Sequence, residues 1–144
     1  MLRDRLGLNT RVEPGEELDQ LSNAVIGAAI EVHRVLGPGL HESVYERALC
    51  VELRLRGISF ERQPVIPVTS KGESVGEARL DILVAGKLIL ELKAVDALLP
   101  IHKAQLISYL QLTQHVLGIL LNFNVRVLKD GVKRVVVSPE SSAT

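Results

Sequence analysis

The sequence predicts an α+β or α/β sandwich in which a mixed central β-sheet is flanked by helices. Three observations predict this fold class: two helical repeats of apolar residues come first, β-rich segments follow, and a third helix precedes a final apolar strand. Helices and strands in this order are typical of a sheet covered by helices. At 144 residues, the chain fits one domain with a sizeable core.

Three segments have the apolar spacing of amphipathic helices. Apolar residues recur every three or four positions over residues 18–36 and again over about 41–56, and glycine follows each segment. Pro100 can open a third helix that extends to about residue 114, because the first helical position needs no N–H. We therefore expect three helices.

Strands are predicted from short apolar and β-branched runs separated by turn residues. Residues 65–69, 78–85 and 88–94 form three such runs and indicate an antiparallel meander. Residues 116–124 are almost continuously apolar, which predicts a strand that is covered on both faces and central in the sheet. A Lys-Asp-Gly turn within residues 125–137 predicts a final β-hairpin.

The two ends of the chain are predicted to lie outside the folded domain. Residues 1 to about 17 carry charges, glycine and proline without a hydrophobic period, and residues 138–144 are mainly small and polar. We interpret the first segment as a flexible arm and the second as a frayed tail. A single domain then spans residues 18–137.

Composition excludes several classes of protein. Lysine plus arginine balance aspartate plus glutamate at 17 each, so no overall field draws the chain to nucleic acid or an anionic membrane, and any phosphate contact must be local. The single cysteine, Cys50, excludes a disulfide framework and a zinc site of several thiolates. Without an apolar signal core or a membrane-spanning segment, we expect a cytoplasmic protein with no membrane partner.

Charged residues inside two predicted strands are the main sign of function. Glu91 and Lys93 share one face of the strand at 88–94, and Asp81 interrupts the preceding strand. If residues 85–87 form a three-residue loop, Asp81 lies opposite Glu91 with Cβ atoms ~5 Å apart. A two-residue turn would instead place the two carboxylates on opposite faces of the sheet.

Two carboxylates at that separation repel each other unless they share a proton or hold a cation. Their oxygens suit a hard ion such as Mg²⁺ or Mn²⁺, which can lower the pKa of a water and polarise a phosphoryl oxygen. Lys93 would point at the same water. From the residues alone, a solvated face or a surface ion pair remains an open alternative.

The spacing of these residues resembles the D…ExK core of the PD-(D/E)XK nucleases, because Asp81 is followed by nine residues and then by ELK at 91–93. Residues 39–45, GLHESVY, resemble the GxxExxY signature of a small bacterial family assigned to that superfamily. Residues 105–109, QLISY, resemble the QxxxY helix motif of RecB-type nucleases. The motifs occur in the family's order, and the resemblance runs over about residues 21–137.

The resemblance implies a restriction-endonuclease-like core and a metal-dependent nuclease site that uses Mg²⁺ or Mn²⁺. It implies that Asp81 and Glu91 bind the metal, together with the backbone carbonyl of Leu92. Lys93 would orient or deprotonate the attacking water. Glu42, in the first turn of the second helix, would supply a further carboxylate or hold a water.

The resemblance also implies a role for two residues of the third helix. Gln105 and Tyr109 lie one turn apart on one helix face and would steady Lys93 or the scissile phosphate. They could instead flank the buried stripe of the helix. His102, on the same face, either contacts a phosphate or belongs to a solvated helix start. For Glu42, the alternative role is favourable negative charge at a helix N-terminus.

We expect a phosphodiesterase that cleaves nucleic acid, with DNA favoured over RNA. The alternative is a catalytically silent nucleic-acid-binding or protein-interaction module with the same fold. A third hypothesis is a domain that works only in a complex, and the size is compatible with a homodimer or a larger assembly. The most basic stretch, residues 126–134, either contacts nucleic acid or discourages pairing of an edge strand.

Overall fold

The computed structural model describes residues 15–138, which contain three α-helices and seven β-strands. The predicted arm lies outside the described residues up to residue 14, and so does the predicted tail beyond Ser138. None of the described helices is long and apolar enough to cross a membrane. The helices are α1 (Glu16–Leu36), α2 (Glu42–Leu55) and α3 (Pro100–Thr113), and the strands are β1 (Phe60–Arg62), β2 (Val65–Ser70), β3 (Glu73–Arg79), β4 (Ile82–Val84), β5 (Leu88–Lys93), β6 (Leu117–Asn122) and β7 (Val132–Val136).

Five strands form one mixed sheet in the order β1-β4-β5-β6-β7. Strands β5 and β6 run parallel, whereas the other neighbours are antiparallel. The predicted mixed sheet flanked by helices is therefore confirmed. Strand β6 is buried along its whole length, as predicted, and lies between β5 and β7, so that β5 is the middle strand.

Alternate residues of the strands face two hydrophobic clusters, one on each side of the sheet. The even-numbered leucines of β5 belong to the cluster with α1 and α2. Ile89 belongs to the cluster with Leu106 and Leu110 of α3. By the same alternation, Glu91 and Lys93 project from the α3 face of the sheet. The two positions at which β5 departs from an apolar pattern thus share one face.

The predicted antiparallel meander is confirmed in its two pairs of strands, β2 with β3 and β4 with β5, but it is wrong as one continuous sheet. The run at 78–85 is not one strand, because it is interrupted between β3 and β4, and β2 and β3 form a separate two-stranded sheet. Strand β4 pairs instead with β1, which the sequence did not predict. At the break, the N–H of Leu80 donates to the carbonyl of Pro64 and the carbonyl of Asp81 accepts from the N–H of Gln63. With these bonds to the segment between β1 and β2, the chain leaves the two-stranded sheet after β3 and enters the five-stranded sheet at β4.

The predicted C-terminal hairpin is also wrong. Residues 125–127 form no strand, residues 128–131 form a 3-10 helix, and β7 pairs with β6. Val125 packs on the α1 side of the core, and its carbonyl lies 2.7 Å from Nε2 of His33. Apolar residues in this segment therefore close the end of the core and do not extend the sheet.

Candidate active site

The acidic residues predicted to act together meet where β5 ends and β4 begins. Residues 85–87 form the three-residue loop, and Val84 pairs with Leu88, as predicted. The same register brings Asp81 opposite Glu91, whose Oε1 accepts a hydrogen bond of 3.1 Å from the N–H of Asp81. The two carboxylates therefore lie on one face of the sheet and next to each other.

The backbone of Leu92 takes part in the same arrangement. Its N–H donates to Oδ2 of Asp81 at 2.8 Å. The next carbonyl, that of Lys93, accepts from the N–H of Phe123, which follows β6. Because the backbone groups of successive strand residues point to opposite edges of the strand, the carbonyl of Leu92 is directed towards the β4 side. It therefore faces the side on which Asp81 lies.

Burial makes the ionised pair unfavourable. Glu91 is only 4% exposed, and burial, followed by the charge of Asp81, raises the pKa of Glu91 to about 8. Burial also raises the pKa of Asp81 to about 6, although the hydrogen bond from Leu92 acts in the opposite direction. At neutral pH the pair alone retains roughly one proton. A cation that replaced this proton would relieve the repulsion.

The charge of Lys93 acts on all the acidic residues of the site. Its Nζ donates to Oε1 of Gln105 at 3.2 Å, which links β5 to α3. The same charge lowers the pKa of Glu42, Asp81 and Glu91, so the ammonium group acts on all three carboxylates. Lys93 is half-buried, and no carboxylate within residues 15–138 pairs with it as a salt bridge. Its remaining N–H groups are available to a substrate or a water.

The two predicted residues of α3 both lie at this site. Gln105 holds Lys93, and Tyr109 follows one helical turn later. Burial raises the pKa of the Tyr109 hydroxyl, and the charges of Glu91 and Asp81 raise it further, whereas a hydrogen bond with Gln105 lowers it. The hydroxyl is therefore close enough to the carboxylates to feel their charge. Both residues also flank the buried stripe of α3, as the alternative predicted, and Tyr109 packs against the cluster of Leu106 and Leu110.

Glu42 approaches from the other helical layer as the first residue of α2. Burial raises its pKa, the charge of Lys93 lowers it, and the charge of Glu46 raises it further. The preceding turn is held by Tyr45, whose hydroxyl donates to the carbonyl of Gly37 and accepts from the N–H of Leu40 at 3.1 Å. These bonds fix the start of α2 and, with it, the position of Glu42.

The donor groups present fit a hard cation that keeps several waters. In the described part of the chain, no three His, Cys, Asp or Glu side chains converge into a metal-binding cluster. Asp81 and Glu91 are adjacent, whereas Glu42 stands apart from them. The direct donors available are thus two carboxylate groups and the carbonyl of Leu92. Mg²⁺ typically uses one or two carboxylates and leaves its other positions to water.

Glu46 was missed by sequence analysis. Its side chain is 5% exposed, and Oε2 accepts hydrogen bonds from Nε of Arg62 at 2.7 Å and Nε2 of Gln63 at 2.9 Å. The N–H of Gln63 in turn donates to the carbonyl of Asp81 at 2.8 Å. Glu46 lies one turn after Glu42 on the same face of α2, and this spacing was the signal that could have identified it.

Two other polar residues have structural roles. Nδ1 of His102 accepts a hydrogen bond of 2.9 Å from the N–H of Leu99, so that His102 closes the first turn of α3. Cys50 is 5% exposed in the core of α2, and burial raises the pKa of its thiol. Neither contact suggests a catalytic function for these side chains.

Comparison with known proteins agrees with the geometry of the site. A family profile described as the PD-(D/E)XK nuclease superfamily matches residues 19–135, which is most of the chain. The chain belongs to the PD-(D/E)XK nuclease superfamily. Its five-stranded mixed sheet with three helices is consistent with the PD-(D/E)XK nuclease fold and supports a nuclease-like function. No curated protein sequence matches this member of the superfamily.

The PD-(D/E)XK motif can be followed along the described strands. Asp81 precedes β4, and Glu91 and Lys93 end β5 on one face. Leu80 stands where the name of the superfamily has proline, and its side chain is fully buried.

Proposed function

We propose that this PD-(D/E)XK protein is a nuclease that hydrolyses phosphodiester bonds with Mg²⁺ or Mn²⁺, and that DNA is its substrate in preference to RNA. The observation that carries the proposal is the buried pair of Asp81 and Glu91 beside Lys93. Burial raises the pKa of both carboxyl groups, so a divalent cation offers the strongest relief of their repulsion. We further assign the chain to the bacterial GxxExxY family, on residues 39–45, and place it in the cytoplasm.

The roles of the residues follow from their positions. When bound, a divalent cation polarises a phosphoryl oxygen and lowers the pKa of a water. Asp81, Glu91 and the carbonyl of Leu92 would hold the cation. Lys93 orients the attacking water and stabilises charge that develops on the phosphate. Glu42, at the rim formed by α2, accepts a hydrogen bond from a further water.

Two side chains of α3 position Lys93 and the phosphate for the reaction. Gln105 restrains the ammonium group of Lys93, which limits the directions in which that group can donate. Tyr109 presents its hydroxyl beside the two carboxylates and can donate to a phosphate oxygen. Both therefore act by positioning the reacting groups.

The proposal is tested with purified protein and a panel of single-stranded, duplex and flapped DNA, with matched RNA. We expect cleavage that requires Mg²⁺ or Mn²⁺, stops with a chelator and is faster on DNA. Glu91→Ala should be inactive. Glu52→Ala is the matched control, because Glu52 is a glutamate near the far end of α2 that pairs with Arg56, and it should cleave at the wild-type rate.

One result would replace the nuclease proposal by its alternative. If the wild type cuts none of these substrates with either ion but binds one of them, and Glu91→Ala binds equally well, the protein is a catalytically silent binding module. Cleavage of RNA but not of DNA would instead correct the substrate class alone.

A further inference from the structure

An ion pair between Glu46 and Arg62 lies beside the site and has no part in the mechanism above. The carboxylate is buried, whereas the arginine side chain is 34% exposed, and Nε lies 2.7 Å from Oε2 of Glu46. Within residues 15–138, no hydrogen bond of the two terminal guanidinium nitrogens is present. The guanidinium is thus held by the protein through Nε, and its side chain remains partly exposed.

The backbone of Arg62 lies close to that of Asp81, whereas its side chain projects from the α1 and α2 face of the sheet, because its partner Ile82 belongs to the cluster on that face. Arg62 is the last residue of β1 and pairs with Ile82, which directly follows Asp81. Neighbouring strands lie ~5 Å apart, so the backbones of Arg62 and Asp81 are within roughly 5–7 Å. Gln63 adds a second link, because its N–H donates to the carbonyl of Asp81 and its side chain donates to Glu46. Gln63 makes both bonds from the left-handed conformation, with φ 56°.

The charge of Glu46 needs an explanation other than stability. A buried carboxylate is costly unless it is paired, and apolar residues of similar volume often replace buried ion pairs without loss of stability. What such a pair provides is a guanidinium in a defined place and orientation. Arginine presents a planar fork of donors that matches the oxygens of a phosphate.

The charge of the whole chain gives importance to local cations. Formal net charge is zero, so affinity for nucleic acid must come from a few local cations. Lys93 is already bonded to Gln105 at the reacting centre. Arg62 is a second cation at the same end of the sheet, on the side of β1 and α2.

We propose that Arg62 binds a backbone phosphate of the nucleic-acid strand next to the scissile phosphate, and that Glu46 and Gln63 hold the guanidinium there. The proposal rests on the proposed function for the identity of its ligand, although binding can be tested without cleavage. Glu46 and Gln63 are positioning residues, because they act through Arg62. The site takes one phosphodiester group and does not read its base.

Binding measured against salt concentration tests the proposal. A fluorescein-labelled DNA strand is titrated with Lys93→Ala protein, so that the strand stays intact, at several salt concentrations between about 50 and 200 mM in the presence of Mg²⁺. Adding Arg62→Ala should weaken binding about tenfold and reduce the slope of log K against log salt by about one. The Mn²⁺ affinity measured by calorimetry should stay unchanged, because the carboxylates of Asp81 and Glu91 are untouched.

Two further variants keep the test decisive. Arg62→Ala leaves Glu46 buried and unpaired and can lose stability for that reason. The double variant Glu46→Gln with Arg62→Gln removes both charges and leaves an amide pair, and it should show the same loss of slope. Arg56→Ala is the matched control, because Arg56 makes the same kind of bond to Glu52, at 2.9 Å, at the far end of α2, and its slope should equal that of the parent.

The outcomes separate the two proposals. A parent-like slope and affinity in both Arg62 variants would overturn the phosphate site, and so would an equal loss in Arg56→Ala or a parent protein that binds no nucleic acid. If wild-type protein cuts nothing but its binding depends on Arg62 in this way, the phosphate site stands and the nuclease proposal fails.

Discussion

Glu91 is an acidic residue at a position where the fold otherwise places apolar side chains. Its neighbours in β5 are fully buried leucines and isoleucine, and Glu91 itself is 4% exposed. Such a residue lowers the stability of the metal-free protein, because burial raises its pKa and the adjacent Asp81 raises it further. Burial in this setting is typical of functional sites, where the environment adapts a group to its chemistry.

Variants can distinguish the role of Lys93 from that of Glu91. Lys93→Ala removes an amine and leaves both carboxylates, so we expect it to fold, to bind Mn²⁺ and to cleave about 10²–10⁴-fold more slowly than wild type. Glu91→Ala should lose Mn²⁺ binding and cleavage together. Steady-state cleavage and calorimetry measure the two properties.

A lysine of α3 provides the control for this pair. Lys103→Ala removes an exposed lysine of α3 outside the site and should leave both properties unchanged. Cleavage by Lys93→Ala at the wild-type rate would exclude a catalytic role for Lys93.

The start of α2 is the element that delivers the third carboxylate. The turn before it is held by the hydroxyl of Tyr45, and the ring of Tyr45 stacks on Phe123 with centroids 4.6 Å apart. The stacked rings anchor α2 to the residue after β6. The tyrosine of the GxxExxY pattern thus has a structural role, which is to hold the turn that places Glu42.

Tyr45→Phe tests this role of the tyrosine. The variant keeps the stacked ring and removes the hydrogen bonds to the carbonyl of Gly37 and from the N–H of Leu40, so we expect a loss of about 1–3 kcal/mol in the free energy of unfolding. Urea denaturation measures it. Val44→Ala, at a 40% exposed neighbour in α2, should change stability by less than about 1 kcal/mol. A stability of Tyr45→Phe equal to that of wild type would show that the two bonds are dispensable.

At the scale of the whole molecule, the acidic pair makes stability depend on pH. The pKa values of Asp81 and Glu91 in the folded chain, about 6 and about 8, exceed those of the same groups in the unfolded chain. The folded protein therefore binds more protons than the unfolded protein over this range. For a raised acid pKa, the associated stability is present at low pH and is lost as the pH rises through the folded value.

We expect the metal-free protein to lose roughly 2–4 kcal/mol of unfolding free energy from this pair between pH 5 and 9. Glu91→Gln should lose much less over the same range, and the difference between the two proteins isolates the pair from other titrating groups. Saturating Mn²⁺ should stabilise the wild type, by ~2.7 kcal/mol at a hundredfold excess over its dissociation constant, and most strongly at high pH. Thermal and urea unfolding across pH measure both effects.

Two results would contradict this account of the pair. Equal pH dependence in wild type and Glu91→Gln would mean that the folded environment does not raise the pKa of the pair. If Mn²⁺ does not stabilise the wild type, Asp81 and Glu91 are not metal ligands.

The sequence by itself determined the three helices and the buried strand β6, and it reduced the placement of Asp81 and Glu91 to two alternatives, between which the register of β4 and β5 decided. Each of these depends on interactions between residues that are close along the chain. Helical and strand periodicity follow from backbone geometry, and the register of a hairpin follows from the length of its loop. The placement of Glu91 and Lys93 on one face needed only the alternation of a strand.

Only the tertiary structure decided the pairing of β1 with β4, the break between β3 and β4, and the network of Glu46, Arg62 and Gln63. Strand β1 has three residues, which is too short for a periodic signal. Glu46 bonds to residues that are 16 and 17 positions away along the chain. The bond from Gln63 to Asp81 joins two connections, each of which links a strand of one sheet to a strand of the other. Such contacts exist because distant segments pack together and must satisfy their buried polar groups, a requirement that local sequence does not encode.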